Sequence, residues 1–267
     1  MAIDLIALED LTLAAGREIM AVYATDFEAT AKTDGSPVTI ADTRAEALIL
    51  AGLTKLFPGV PIVAEEQMEA GNLPRLKETF FLVDPLDGTR DFVERRAGEF
   101  TVNIGMIENG RPIAGVVYAP ASGALYSGAD GKAFYTLCDP DSTARKSKRA
   151  EIHVSSAQDI RALTNRTGAA SLNPFLDLLG VKEKRAISSS IKLALLAAGE
   201  AELYPRFGPV NEWDIAAGHA VLRAAGGDLI RRDGSPMTYG QRAPDFLVRG
   251  FFAYTPGVER KLRDVLV

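Results

Sequence analysis

Two aspartates are separated by a proline and a leucine in the heptapeptide Val83-Asp-Pro-Leu-Asp-Gly-Thr89. The apolar run Phe80–Leu82 precedes it and predicts a strand that ends at the acids. Gly88 and Thr89 are expected to begin a helix, whose free N–H groups can bind phosphate. Because paired carboxylates bind hard divalent cations, the stretch predicts metal-assisted chemistry on a phosphate ester. An acidic turn without a ligand is the alternative, because Asp and Gly are common in turns.

Other acids also fall at predicted ends of helices and strands. Glu65 and Glu66 follow a short apolar strand, where they could form a solvated loop face. Asp42 lies three residues after Thr39 at the start of a helix, so a capping pair is the alternative to a role in orienting water. Asp214 begins a long helix and could be its N-cap. Acids at such ends can converge in an oxygen-ligand site for several ions.

The predicted elements divide into two halves. Apolar residues at helical spacing predict a first helix over residues 3–23 and a second that ends before Pro58. Two β-rich runs, Glu99–Ile107 and Ile113–Tyr118, are joined by a turn at Asn109-Gly110, which predicts a hairpin. The first half, residues 1–140, is therefore expected to be an α+β unit that binds metal and phosphate.

The second half, residues 150–267, is expected to be an α/β unit that determines substrate specificity. β-like runs alternate with helical runs in this half. The β-like runs include Glu151–Ser155, Phe175–Leu179 and Ala186–Ser189, and the helical runs are residues 191–198 and 214–225. The basic cluster Arg145–Arg149 between the halves is interpreted as a solvated linker, with contact to an anion as the alternative.

Composition excludes several classes of protein. The chain has 267 residues, 47% of them hydrophobic, and a net charge of −5, so a basic surface for nucleic acid is not expected. A single cysteine, Cys138, and two histidines exclude a disulfide framework and a zinc cluster. Residues 1–25 have no signal-peptide pattern or membrane span, so a cytoplasmic protein is expected.

The acids carry a family resemblance when they are taken together. Glu65-Glu66, the heptapeptide and Trp213-Asp214 resemble the signature of the lithium-sensitive, magnesium-dependent inositol monophosphatase superfamily. Longer stretches are more similar to its bacterial 3′(2′),5′-bisphosphate nucleotidases of sulfate assimilation; they are Asp34–Thr39 with Ala41-Asp42, Gly98–Ile104, Gly115–Pro120, Ser189–Lys192 and Leu203–Pro209. The resemblance implies an α+β fold, the αβαβα layered sandwich of inositol monophosphatases and fructose-1,6-bisphosphatases.

The resemblance also implies ligands for two to three Mg²⁺ ions. Glu65, Asp84 and the Leu86 carbonyl would hold one ion. Asp84, Asp87 and Asp214 would hold a second. Glu65 would help to hold a third through waters. All of these ligands are oxygen atoms, which suits Mg²⁺.

Catalytic and phosphate-binding roles follow from the same resemblance. The Asp42 carboxylate and the Thr89 hydroxyl would orient and deprotonate the attacking water, with Glu65 contributing through its ion. The backbone N–H groups of Gly88 and Thr89 would bind the phosphate. The expected mechanism is direct in-line attack by metal-activated water, with no phosphoenzyme.

The substrate expectation depends mainly on Arg206 and Lys192. Inositol phosphatases usually have an acid a few residues before Trp-Asp, where this chain has Tyr204–Phe207. Two cations favour a substrate with a second phosphate, although they could instead pair with nearby acids. Ser189, Ser190 and Asp214 are further candidate substrate contacts. Ser188 stands where bacterial nucleotidases often have glycine, and serine adopts positive φ less readily.

The predicted reaction is hydrolysis of the 3′-phosphate of adenosine 3′,5′-bisphosphate to AMP and phosphate. An inositol-1-phosphate or related sugar-phosphate phosphatase is the first alternative. A non-catalytic phosphometabolite-binding module is the second. The expected partner is a small phosphorylated nucleotide, without nucleic acid or integral membrane contact. The protein is expected to be a monomer or homodimer, and peripheral association with the inner membrane face, as in some bacterial relatives, is left open.

Overall fold

A computed structural model describes residues 3–32, 35–96, 99–157, 159–166, 169–241 and 245–266. Asp34 and Gly98, which begin two of the stretches that carry the resemblance, lie outside the described residues. The helices are α1 (Leu5–Tyr23), α2 (Ile40–Leu56), α3 (Glu65–Glu69), α4 (Thr89–Val93), α5 (Ala169–Leu178), α6 (Ile191–Ala197), α7 (Glu212–Ala224) and α8 (Pro256–Leu266).

The strands form two large sheets and two short pairs. They are β1 (Ala29–Ala31), β2 (Pro37–Thr39), β3 (Ile62–Ala64), β4 (Thr79–Asp87), β5 (Thr101–Glu108), β6 (Arg111–Ala119), β7 (Ala124–Ala129), β8 (Lys132–Leu137), β9 (Ala150–Ile152), β10 (Arg161–Thr164), β11 (Glu183–Ala186), β12 (Leu203–Arg206), β13 (Val210–Asn211), β14 (Asp228–Arg231), β15 (Leu247–Val248) and β16 (Phe251–Tyr254).

The larger sheet has seven described strands in the order β3-β4-β5-β6-β7-β8-β9. β3 pairs with β4 in parallel, and every other neighbouring pair is antiparallel. The hairpin predicted at Asn109-Gly110 is confirmed, because β5 and β6 pair on either side of it and both turn residues have positive φ. Helices α1 and α2 cover one face of this sheet, and α7 packs on β5 and β6.

The smaller sheet has the described order β11-β10-β12-β16-β14 and mixes parallel with antiparallel pairs. Helix α6 packs on both α7 and β12, so these two helices lie between the sheets. Leu172 and Leu176 of α5 share a buried cluster with Phe252 of β16 and with Val258 and Leu262 of α8. The layers are therefore helix, sheet, helix, sheet and helix, which confirms the predicted αβαβα sandwich.

One strand prediction in the second half is wrong. Phe175–Leu179 was expected to be β-like, but residues 175–178 belong to α5. Leu172, Leu176 and Leu179 are buried at helical spacing, while Pro174 inside the helix obscures that pattern in the sequence. The strand predicted over Ala186–Ser189 ends at Ala186.

The interpretation of Arg145–Arg149 as a solvated linker is wrong for its two terminal arginines. Glu9 of α1 is fully buried, and its carboxylate forms ion pairs of 3.0 Å with both Arg145 and Arg149. The Glu9 carboxylate also accepts a hydrogen bond of 2.6 Å from the Ser127 hydroxyl. The segment therefore attaches to the first helix.

The division of the chain into halves at residues 140 and 150 stays a prediction. The larger sheet continues into residues 150–152 as β9.

Glu9→Ala is expected to lower the free energy of unfolding by about 3–5 kcal/mol, because it removes the buried carboxylate that pairs with both Arg149 and Arg145 and leaves Arg149 without its acid. Chemical denaturation measures the change. Asp10→Ala is the matched control, since Asp10 is exposed and pairs with Arg145 at the surface. Its effect should stay within about 0.5 kcal/mol. Equal losses in the two variants would contradict the structural role given to Glu9.

In the part of the chain that the structure describes, no helix has the length and apolar character needed to cross a membrane.

Candidate active site

One cleft brings together the residues predicted from separate parts of the sequence. It has a volume of about 490 Å³. Eleven of the twelve predicted site residues line it: Glu65, Asp84, Leu86, Asp87, Gly88, Thr89, Ser189, Ser190, Lys192, Arg206 and Asp214. The twelfth, Asp42, is buried and hydrogen-bonded to Thr89 of the lining.

The central heptapeptide differs from the prediction in one detail. Strand β4 does not end at the first acid but continues through Asp87, with an irregularity in its pairing to β5 between Asp84 and Asp87. Pro85 has no N–H to donate and is tolerated at such an irregularity. The Leu86 N–H donates to the Asp84 carboxylate at 3.0 Å. Both acids are thus held at the end of one strand, where helix α4 begins.

Gly88 allows the strand to turn directly into α4. Its φ is +89°, and a Cβ at this position would lie 2.6 Å from the Glu99 carbonyl oxygen. Any side chain would meet both backbone strain and a backbone clash. Glycine is therefore required at this turn, which lines the cleft.

Gly88→Ala is expected to lower kcat/KM by on the order of a hundredfold, because the displaced turn would misplace the phosphate-binding groups. Phosphate-release kinetics measure the change. Gly131→Ala is the control, since Gly131 also has positive φ, +71°, but has no atom within 4 Å of the added Cβ. A Gly88→Ala enzyme as active as Gly131→Ala would contradict this role.

Asp42 caps α2 and also contacts Thr89, its predicted catalytic partner. One of its oxygens accepts hydrogen bonds from the Thr39 N–H at 2.8 Å and the Thr39 hydroxyl at 2.7 Å, which completes a capping box at α2. Its other oxygen lies 3.1 Å from the Thr89 hydroxyl, which can donate there or to the Leu86 carbonyl at 2.9 Å. Burial raises the pKa of Asp42, while hydrogen bonds from Thr39 and Thr89 lower it. The two interpretations of Asp42 are compatible.

Carboxylates repel one another at the centre of the cleft. Asp84 is 1% exposed, and burial, followed by Glu65, Asp87 and Asp214, raises its pKa well above the usual range. Burial, followed by Asp87 and Glu65, does the same to the pKa of Asp214. Such crowding is unfavourable unless cations or protons offset the charge.

A lysine that the sequence analysis did not select lies beside these acids. The Lys32 ammonium is 2.6 Å from the Glu65 carboxylate and 2.7 Å from that of Glu66. Burial lowers the pKa of Lys32, but Glu65 and Glu66 raise it above the usual range. Nothing in the local sequence distinguishes Lys32 from other loop lysines. Its position shows that the Glu65 end of the cleft already attracts a cation.

The donor set fits Mg²⁺. It consists of carboxylate oxygens and one backbone carbonyl, which are the ligands that hard divalent cations prefer. Within the described residues, no group of three or more His, Cys, Asp or Glu side chains is already close enough to form a complete metal site. The acids nevertheless interact electrostatically, as the raised pKa values of Asp84 and Asp214 show. An ion bound among these acids would offset their repulsion.

The Mg²⁺-free protein is expected to lose stability as pH rises from about 4.5 to about 7. Burial and neighbouring acids raise the pKa of Glu65 and of Glu46 from 4.5 to about 7. An acid whose pKa is raised by folding binds more protons in the folded state, so its ionisation destabilises that state. Denaturation across this pH range, with EDTA or with Mg²⁺, measures the slope. Stability that rises with pH in EDTA would contradict the electrostatics of the site.

The loop at residues 187–190 contacts the metal-ligand candidates from the second half. In this loop the Ser190 N–H donates to the Asp87 carboxylate. The Ser190 hydroxyl donates to the Asn103 side-chain oxygen at 2.8 Å. The residue with positive φ is Ser189, at +64°, and Ser188 has no such strain. The substitution of serine for glycine at 188 therefore does not disturb this turn.

Lys192 and Arg206 both line the cleft, and neither forms an ion pair with a described acid. Lys192 is 1% exposed and donates to the carbonyls of Ile187, at 2.9 Å, and Ser189, at 2.6 Å. Burial lowers the pKa of Lys192 to about 7. Arg206 donates to the Pro209 carbonyl at 2.9 Å, while its buried Nε has no partner. Their contact with substrate stays a prediction.

Comparison with known proteins identifies the family. The sequence model of the inositol monophosphatase family matches residues 4–249. The chain belongs to the inositol monophosphatase family. Enzymes of this family are generally Mg²⁺-dependent. The family that the sequence motifs predicted is thus confirmed.

Individual relatives are similar over most of their length. The Escherichia coli K12 3′(2′),5′-bisphosphate nucleotidase CysQ is 43% identical over 240 residues, covering 89% of this chain and 94% of the relative. The protein of the same name from Buchnera aphidicola is 36% identical, covering 91% and 90%. The crystal structure of CysQ from Bacteroides thetaiotaomicron has a TM-score of 0.75 and 31% identity, covering 94% of this chain and 97% of that one. The branch resemblance and the fold both agree with these relatives.

Proposed function

We propose that this protein is a Mg²⁺-dependent 3′(2′),5′-bisphosphate nucleotidase that converts adenosine 3′,5′-bisphosphate to AMP and phosphate. The observation that carries the proposal is the position of Asp84, Asp87 and Asp214 in one cleft with the Gly88-Thr89 turn. Relatives that are 43% identical over 89% of the chain bear the name of this activity. The reaction type follows from the acids, and the substrate from the relatives and the cations of the cleft.

Mg²⁺ would be held at the centre of the cleft, as two to three ions. Glu65, Asp84 and the Leu86 carbonyl would hold one ion, and Asp84, Asp87 and Asp214 a second; a third would be shared with Glu65. When bound, the ions offset phosphate charge, make the attacking water more acidic and stabilise the leaving oxygen. The buried, mutually repelling carboxylates support this assignment.

The chain's own residues would position the reaction. The Asp42 carboxylate accepts the proton of the attacking water through the Thr89 hydroxyl, which lies 3.1 Å away. The hydrogen bonds from Thr39 hold Asp42 in that orientation. The N–H groups of Gly88 and Thr89 at the start of α4 bind phosphate oxygens. The reaction needs no side-chain nucleophile, and the only described cysteine, Cys138, is buried.

A substrate panel tests the proposal. Phosphate release should have a higher kcat/KM for adenosine 3′,5′-bisphosphate than for inositol 1-phosphate in Mg²⁺, and Li⁺ should inhibit it. EDTA should abolish turnover of both compounds. Faster release from inositol 1-phosphate would overturn the substrate assignment. Nucleotide binding without any phosphate release in Mg²⁺ would instead support a non-catalytic binding module.

A further inference from the structure

Most of the cations that line the cleft already have partners. Five described cationic side chains line the cleft: Arg90, Arg96, Arg166, Lys192 and Arg206. Arg96 forms ion pairs with Asp91 and Glu94. Arg166 forms a two-pronged ion pair with Glu99. Guanidinium groups that are matched to carboxylates in this way have little positive charge left for a phosphate.

The two cations selected from the sequence are also engaged. The Lys192 ammonium donates to two carbonyls of the loop at residues 187–190 and is 1% exposed. It lies 5.0 Å from the centre of the Tyr204 ring, which covers it further. Arg206 donates to the Pro209 carbonyl at 2.9 Å, and against the effect of burial its pKa is raised by Tyr204, followed by Asp214 and Asp87. Both cations therefore already have polar partners.

Arg90 differs from the other four cationic side chains of the cleft. Its side chain is exposed, lines the cleft, and forms no hydrogen bond or ion pair with any described residue. It is the second residue of α4 and directly follows Thr89. The Arg90 guanidinium is therefore attached to the turn whose N–H groups are proposed to bind the phosphate that is hydrolysed. The neighbouring Asp91 is buried and directed to Arg96, so it does not neutralise Arg90.

We propose that Arg90 binds the second phosphate of the substrate, the one that is not hydrolysed, and is a specificity-determining residue of this enzyme. The inference rests on the proposed nucleotidase function. The two phosphates of adenosine 3′,5′-bisphosphate are attached to one ribose, so a group beside the first phosphate site can reach the second. An exposed arginine offers two parallel N–H donors to phosphate oxygens and loses no existing ion pair when it does so.

Arg90→Gln tests this assignment by steady-state kinetics on two substrates. For adenosine 3′,5′-bisphosphate the variant should raise KM by about tenfold to a hundredfold, the effect of losing a charged hydrogen bond, with kcat nearly unchanged. For adenosine 3′-monophosphate, which lacks the second phosphate, KM should not change. Arg96→Gln is the matched control, because Arg96 lines the same cleft but is already paired with acids. Arg96→Gln should not change the KM of one substrate more than the KM of the other.

A binding measurement provides a second test that does not need turnover. AMP retains only the second phosphate, so Arg90→Gln should weaken AMP binding by the same factor in calorimetry with Mg²⁺ and saturating inorganic phosphate. Adenosine binding should stay unchanged. An equal rise in KM for both substrates, or an AMP affinity that does not change, would overturn the role of Arg90. A wild-type enzyme that hydrolyses neither nucleotide would instead overturn the proposed function, so the two failures are distinguishable.

Discussion

Asp42→Asn is expected to lower kcat by about 10²- to 10⁴-fold, the range that a positioned general base contributes. Asparagine has nearly the same shape and can still accept the hydrogen bonds of Thr39, so the cap at α2 should survive. It cannot accept a proton from water through Thr89. Mg²⁺ affinity should also be retained, because Asp42 lies behind the cleft and is not one of the proposed ligands.

The two roles of Asp42 can be separated by measuring turnover and stability together. The thermal midpoint and the Mg²⁺ titration of Asp42→Asn should match the wild type while kcat falls. Thr43→Ala is a control on the same helix turn, since the Thr43 side chain is exposed and only donates to the Ile40 carbonyl. A near-normal kcat for Asp42→Asn would eliminate the catalytic role. A parallel loss of stability and activity would reduce Asp42 to a helix cap.

Asp214→Asn is expected to change stability and activity in opposite directions. Burial and the charges of Asp87 and Glu65 raise the pKa of Asp214 in the folded state, so its ionised form destabilises the Mg²⁺-free protein above its unfolded pKa. Asparagine removes that charge and can still accept from the Asn211 N–H, as Asp214 does at 3.1 Å. The free energy of unfolding in EDTA near neutral pH should therefore rise.

The same substitution should weaken Mg²⁺ binding by at least about a hundredfold and abolish most turnover, because it removes a charged ligand from the site. Denaturation in EDTA and calorimetric titration with Mg²⁺ measure the two effects. Asp264→Asn is the control, since Asp264 is an exposed residue of α8 far from the cleft acids in sequence and layer. A variant with lower stability in EDTA and unchanged Mg²⁺ affinity would show that Asp214 is only a helix cap.

The local geometry of the heptapeptide and of the Asp42 cap was predictable because it depends on signals that survive in sequence. The heptapeptide combines a strand, two acids and a glycine that must adopt positive φ, and each signal has a local physical cause. Thr39 and Asp42 likewise form the predicted capping box. These features need no knowledge of distant contacts.

The ion pairs that sequence analysis missed depend on long-range contacts. Lys32 reaches Glu65 across 33 positions, and Arg145 reaches Glu9 across 136. Neither basic residue has a local pattern that distinguishes it from a solvated one. The helix at 175–178 was mistaken for a strand because its apolar face is defined by packing against Phe252 in the smaller sheet. The ion pair of Arg166 with Glu99, which helps to single out Arg90, also spans 67 positions.

The most direct test of the central claim is to identify the products of one reaction. The wild-type enzyme should be incubated with adenosine 3′,5′-bisphosphate and Mg²⁺ and followed by phosphorus NMR. The account predicts equal amounts of AMP and inorganic phosphate, and no products when EDTA replaces Mg²⁺. Formation of adenosine 3′-monophosphate, or undiminished turnover in EDTA, would contradict it.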